Sequence, residues 1–269
     1  NNENGVLMYQ LKAIITENIN LAPGYHRMRL LAPEIAAAAQ PGQFIQIRLG
    51  DEKTTDPLLA RPISIYRIDS PGSSIDLIYK TVGRGTRMLA GIISGATLEI
   101  VGPLGKGFTL PEHIRKVGLI AGGVGMPPLY CLAAKLRTVN PDLPITLFYG
   151  GRSRIDLLEL DSWERLGVEV YAATEDGTYG EQCLVTRVLL EKISAEKFDY
   201  CAACGPKPML KAVREIALAN RISGELSLEA HMACGVGACL GCTCKTEHGY
   251  RRVCVDGPVF PLEEVCLDE

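Results

Sequence analysis

Along the first hundred residues, the apolar positions come in short bursts cut by Pro, Gly, Asn and Asp. The runs 9–18, 25–31, 44–48, 63–68, 75–81 and 97–101 each fit a strand. Their close spacing between such breakers predicts an antiparallel barrel or sandwich. Between them, residues 36–39 hold at most a helical turn, and 86–91 open a short helix that Gly95 ends. From Lys116 the pattern changes. Val117 to Ala121 is a continuous apolar run, as a strand buried on both faces needs. A glycine turn follows, and then a helix opened by Pro127 and Pro128, since proline is well tolerated in a first helical turn. The alternation continues with strands at 145–149, 168–173 and 200–203 and helices at 155–166, 185–193 and 208–220. Strands alternating with helices predict a parallel sheet covered on both faces. The chain therefore divides into residues 8–110, residues 114–223, and a tail at 224–269 too short for a core of its own.

Composition narrows the functions open to this pattern. A chain of 269 residues with a net charge of −3 offers no basic field for nucleic acid and no Lys/Arg run for a membrane surface. No apolar run is long enough to span a bilayer. The Asn-rich start, residues 1–7 before Met8, lacks the basic-then-apolar pattern of a signal peptide. Five of the ten cysteines fall within residues 234–254, and the rest are scattered at 131, 183, 201, 204 and 266. A dense cluster in a Cys-poor body points to metal binding in a cytoplasmic protein rather than to a secreted disulfide framework. The scattered thiols read as small buried hydrophobes.

Cys234, Cys239 and Cys242 have the spacing C-x4-C-x2-C, the plant-type iron–sulfur run, and Cys254 is a natural fourth ligand. Four thiolates suit a [2Fe–2S] cluster, a one-electron carrier. Gly235, Gly237 and Gly241 let the backbone fold tightly around it. Zinc ribbons instead pair two C-x2-C knuckles, so zinc is the rival reading. Cys244 is a fifth thiol that in a strand shares a face with Cys242. Cys266 reads as structural, and His231 and His248 as bystanders.

Several motifs precede the cluster. Arg61-Pro62-Ile63-Ser64 opens a strand, where the arginine presents a fork to a diphosphate and the serine a hydroxyl to a ring. Gly83-Arg84-Gly85-Thr86 follows Ile78-Tyr79-Lys80 at a helix start suited to an anion. Gly122-Gly123-Val124-Gly125 sits between a strand and a helix, where backbone amides meet a pyrophosphate, although it lacks the G-x-G-x-x-G spacing. Thr174 to Gly177 and Cys204-Gly205-Pro206 lie at the other strand ends, where such sheets bind ligands. Arg152 and Arg154 suit a 2′-phosphate or a ribose edge.

Residues 61–64, 78–80 and 85–86, with the glycine-rich turn 102–108, resemble the FAD-binding barrel of the ferredoxin–NADP reductase superfamily. The α/β half resembles the NAD(P) domain of the same superfamily. The resemblance implies a multidomain β + α/β protein: an antiparallel FAD-binding barrel, a parallel-sheet NAD-binding domain and a small [2Fe–2S] segment. It assigns FAD to Arg61, Pro62, Ile63, Ser64, Ile78, Tyr79, Lys80, Gly85 and Thr86. It places Gly122, Gly123 and Gly125 under the pyrophosphate, and Cys204, Gly205 and Pro206 near the nicotinamide.

The run from Glu229 to Cys242, with Arg252-Val-Cys-Val-Asp-Gly-Pro-Val-Phe260, resembles the electron-transfer subunit of class 1B dihydroorotate dehydrogenase. That family implies FAD, one [2Fe–2S] cluster, NAD as substrate, and an FMN-bearing catalytic partner in a heterotetramer of two of each. The partner oxidises dihydroorotate in pyrimidine synthesis. Electrons are then expected to run from the partner's FMN through the cluster and FAD to NAD, with no nucleophilic or paired-carboxylate site. Two rivals remain: a reductase subunit of another complex, such as a sulfide dehydrogenase, hydrogenase or ferredoxin:NADP assembly, and a redox-sensing or zinc-stabilised binding module.

Overall fold

The computed structural model describes residues 7–50, 56–69, 71–109 and 113–267. The chain start at residues 1–6 and the expected end of the first domain at 110 lie outside the described residues. Six strands, β1 (Tyr9–Ala22), β2 (Tyr25–Leu31), β3 (Phe44–Arg48), β4 (Arg61–Asp69), β5 (Ser74–Lys80) and β6 (Thr97–Leu104), close an antiparallel barrel in the order β1-β2-β5-β4-β3-β6. Closure leaves no unpaired strand edge. Period-two alternation sorts the side chains. Ile45, Ile47, Ile65, Leu77 and Tyr79 enter one core inside the barrel, whereas Phe44 and Ile78 belong to cores outside it. By the same alternation Gln46, Ser64 and Lys80 stand on the outer face. β1 runs past the expected stop at Asn18, because its pairing with β2 continues to Ala22 through a register shift after Asn20. Two short helices, α1 (Pro33–Ala38) and α2 (Arg84–Ala90), cap the connections.

The second half alternates β7 (Val117–Gly122), α3 (Met126–Val139), β8 (Ile145–Gly151), α4 (Leu160–Arg165), β9 (Glu169–Thr174), α5 (Val185–Ala195), β10 (Tyr200–Cys204), α6 (Lys207–Ala219) and β11 (Ser223–Ser227). With β14 (Val259–Pro261), the strands form one sheet in the order β14-β11-β10-β7-β8-β9. The pairs from β11 to β9 are parallel, and β14 alone runs antiparallel. Helix α4 is shorter than the 155–166 expected. Arg154–Asp156 forms a separate 3-10 turn, and Glu159, at φ 54°, interrupts the chain before α4 begins.

The tail is not an appendage. The division placed between residues 223 and 224 falls inside β11, since the sheet gains this strand from parallel pairing with β10 rather than from an apolar run of its own. After a loop through the cysteines and the hairpin of β12 (Thr243–Thr246) and β13 (Gly249–Arg252), the chain returns to the sheet as β14. Barrel residues Phe44 and Leu104 share one apolar core with Cys242, Val253, Cys254 and Val255. The turn 102–108 closes on this segment: the Lys106 N–H donates to the Gly257 carbonyl. Among the described residues no helix is long and apolar enough to cross a membrane.

Candidate redox site

Strand β4 carries the first group, with Ser64 on the barrel's outer face and Ile63 packed against the core inside it. Arg61, Pro62, Ile63 and Ser64 are half-buried along β4. Across the register, Ser64 faces Phe44 and Pro62 faces Gln46 of β3. The two anion motifs meet here: a Cβ on Gly85 would stand 2.5 Å from Arg61 Nε, so only glycine lets the guanidinium lie on that turn. The Thr86 hydroxyl is engaged locally, accepting from the Val82 and Gly83 amides at 3.0 and 3.2 Å. Ile78 packs toward the nucleotide domain. Tyr79 does not join this face; it is buried in the barrel core, and its hydroxyl donates to Asn18 Oδ1 at 3.0 Å.

Lys80 turns to the domain junction. Its Nζ donates to the Tyr25 hydroxyl at 2.6 Å and to Asp156 Oδ1 at 3.3 Å, while Tyr25 also donates to Asp156. Burial would raise the Asp156 carboxyl, but the Tyr25 hydrogen bond and the Lys80 charge hold it below its ordinary range. Burial and the same carboxylate push the Tyr25 phenol up.

These three side chains form one wall of a cavity of about 580 Å³. Gly122, Gly123, Gly125, Gly205 and Pro206 line it at the carboxyl ends of β7 and β10, beside Arg152, Glu175, Cys183 and Glu229. A Cβ on Gly125 would lie 2.4 Å from the Cys204 carbonyl oxygen, so glycine is what lets the turn and the end of β10 touch. The Tyr149 hydroxyl donates to the Gly123 carbonyl at 3.1 Å and pins the turn from below. The thiol of Cys204 lies deeper. It is fully enclosed and pushed well up by burial and by the charge of Glu229, so it is a neutral thiol behind the cavity wall. Glu229 is exposed by surface area, yet its carboxyl is packed among enough protein atoms that desolvation raises its pKa. Arg154 is engaged locally. It stacks on Tyr179 and donates to the Leu157 carbonyl.

The cysteine loop is the third group. The Val236 and Cys239 amides donate to Cys234 Sγ at 3.5 and 3.4 Å, and the Gly241 amide to Cys239 Sγ at 3.5 Å. The Cys254 amide donates to Cys242 Sγ at 3.4 Å. Burial alone would raise the Cys234 thiol, but these amides bring it down to about 7. Cys254, buried and hydrogen-bonded to the Cys242 thiol, is pushed up to about 12. The thiols thus pair as Cys234 with Cys239 and Cys242 with Cys254. Two thiol pairs ringed by amide donors match the donor set that two irons need, and amide donors to sulfur tune a cluster's potential. Among the described residues no group of three or more His, Cys, Asp or Glu side chains is gathered as a single metal ion requires. Cys244 lies in β12, half-buried against the apolar core, its thiol raised by burial to about 11. Cys266 donates to Glu247 Oε1 at 3.6 Å.

Tyr25 and Asp156 carried no motif. A lone tyrosine at a strand start and an aspartate in a turn become a site only when the two halves dock. Gln46 was equally silent, as a polar residue on a strand's outer face reads as a solvent position.

The three groups lie in sequence across adjacent strands. Lys80 of β5 faces the nucleotide cavity, Arg61 to Ser64 of β4 lie next, and Phe44 and Gln46 of β3 face the cysteine loop. Such an arrangement defines an FAD- and NAD-linked oxidoreductase of the ferredoxin–NADP reductase type with an added [2Fe–2S] segment. Residues 119–215 match the model of the oxidoreductase NAD-binding domain, and residues 229–266 match that of the iron–sulfur cluster binding domain of dihydroorotate dehydrogenase B. The structure of an NADH-dependent reduced ferredoxin–NADP oxidoreductase superposes with a TM-score of 0.85 at 28% identity, covering 95% of this chain and 90% of that one. A ferredoxin reductase of carbazole 1,9a-dioxygenase shares the fold, with a TM-score of 0.67 over 81% of this chain and 68% of its own.

Among curated relatives, the dihydroorotate dehydrogenase B (NAD(+)) electron transfer subunit of Shouchella clausii is 39% identical over 96% of this chain and 98% of its own. The protein of the same name from Desulforamulus reducens is 37% identical over 91% and 94%. The chain belongs to the family of dihydroorotate dehydrogenase B electron transfer subunits.

Proposed function

We propose that this chain carries electrons from an FMN-bearing dihydroorotate dehydrogenase partner to NAD+, within the cytoplasm and in a heterotetramer of two subunits of each kind. When bound, FAD exchanges a hydride with nicotinamide on one side and single electrons with the [2Fe–2S] cluster on the other. The observation that carries this reading is the strand order: the Arg61 to Ser64 strand stands between the glycine-lined cavity and the cysteine loop.

The chain's own residues supply binding and orientation. Arg61 offers its fork to the flavin diphosphate, and Ser64 its hydroxyl to the ring. Gly122, Gly123 and Gly125 bring amides to the dinucleotide's pyrophosphate. Gly205 and Pro206 shape the wall at the end of β10, where the nicotinamide would lie. Glu175 lines the same cavity at the end of β9, and a carboxylate there suits a ribose hydroxyl rather than a 2′-phosphate, which favours NAD over NADP. Cys234, Cys239, Cys242 and Cys254 hold the cluster as thiolates. Cys239 and the apolar side chains of Val236 and Leu240 are exposed around it, where a donor protein can dock.

The test is Cys239→Ser. It should remove the cluster's absorbance and stop electron transfer from an added dihydroorotate dehydrogenase subunit, while NADH still reduces an artificial dye through FAD. Equal loss of both activities would argue for a purely structural segment.

A further inference from the structure

Gln46 stands out among the side chains that the electron path does not explain. It lies on β3 at 3% exposure, and neither its Nε2 nor its Oε1 has a hydrogen-bond partner. Nearly all buried amides find partners, and an orphaned one is costly. Its neighbours on β3, Ile45 and Ile47, point into the barrel, so Gln46 points out of it. What covers it there is the cysteine loop. A Cβ on Gly235, the residue after Cys234, would stand 2.6 Å from both Gln46 Cγ and Nε2. Gly235 adopts φ 69°, a left-handed conformation that brings its bare backbone against the amide. On the other side, Gln46 is the register partner of Pro62 in the flavin strand.

We propose that Gln46 is the barrel's positioning residue for the cluster, its Nε2–H donating to sulfur in the Cys234 loop where that loop meets the flavin strand. The proposal rests on the ligand set given above. Sulfide and thiolate sulfur only accept hydrogen bonds, so the NH2 group is the part of the amide that can engage them. Reduction adds negative charge to the cluster, and a donor to sulfur stabilises that charge and raises the reduction potential. Gln46 would therefore set the potential from the barrel side, while the loop's own amides set it from the other.

The experiment uses the full chain with its cofactors, labelled with 15N only at glutamine side-chain amides. Pulsed EPR of the reduced cluster should show one 15N coupling, and Gln46→Met should abolish it at nearly unchanged side-chain volume. In the same variant the cluster's reduction equilibrium should fall about tenfold, a shift of about 59 mV to lower potential for one electron. A fully loaded wild-type cluster without 15N coupling overturns the proposal, and so does an unchanged potential in a loaded Gln46→Met. If that variant fails to hold the cluster, the wild-type coupling alone decides. A different failure, retention of the same cluster in Cys234→Ser, would strike the ligand set instead.

Discussion

The nucleotide cavity and the cysteine loop are built in opposite ways. The cavity sits at the ends of β7 and β10, which are buried throughout, and its glycine turn is pinned by Tyr149 and by contact with Cys204. Its shape follows from a core that exists without any ligand. Residues 229–242 contain no regular element, and the Val236, Cys239 and Gly241 amides aim at sulfur. Here only the rear of the loop, at Cys242, reaches the core, and the exposed part depends on its ligand for order. The two sites should therefore respond differently to damage: one loses affinity while keeping its shape, and the other loses its organisation.

The sharpest break in that contrast comes from the buried thiol. Cys254→Ser should abolish the cluster's visible absorbance completely, whereas Cys244→Ser, outside the thiol pairs, should leave it intact. Equal loss in both would mean the ligand set is wrong. Next in size is Gly125→Val, which forces a side chain against the Cys204 carbonyl. NADH-driven flavin reduction should fall at least tenfold, and stability by about 1–3 kcal/mol, as overpacking typically does. The cluster spectrum should survive, and its loss would show that the two sites share one cooperative unit.

The smallest effect is expected at the domain junction. Asp156→Ala removes the acceptor shared by Tyr25 and Lys80 and should cost about 2 kcal/mol near neutral pH. The Asp156 carboxyl is held below its ordinary 3.8 in the folded chain. Its contribution is therefore complete above that value and is lost as pH falls through the lower, folded value. Urea titrations of both proteins between pH 7 and pH 3 should show the gap closing at the acid end.

The barrel was legible because its strands alternate: β3 has the limits its apolar positions mark, and the other strands differ mainly at their ends. The cysteine spacing marked the loop equally well. What escaped was whatever depends on a neighbour. The strand Ser-Gly-Glu-Leu-Ser of β11 has no apolar run and exists because β10 and β14 flank it. Tyr79 sits where period two puts it, inside the barrel, so the run Ile78-Tyr79-Lys80 splits between a core and a cavity. Arg154 looked free to meet a phosphate until Tyr179 and Leu157 claimed it. Gln46 is the limiting case: nothing in its strand marks it, and its burial depends on the cysteine loop docked against it.

The antiparallel return of β14 beside β11 makes the cluster segment a cassette. Both ends of the stretch from Leu228 to Pro258 are fastened at the same edge of one sheet, where the Leu228 N–H donates to the Pro258 carbonyl at 2.9 Å. A stretch whose ends already touch can change length at its exposed parts without asking the sheet to move, provided Cys242, Val253, Cys254 and Val255 keep their place in the core shared with the barrel. Grafting a foreign metal-binding loop in place of the exposed part of that stretch, with Val253 and Val255 kept in the core, should yield a reductase with the same flavin and nucleotide chemistry and a different electrical contact.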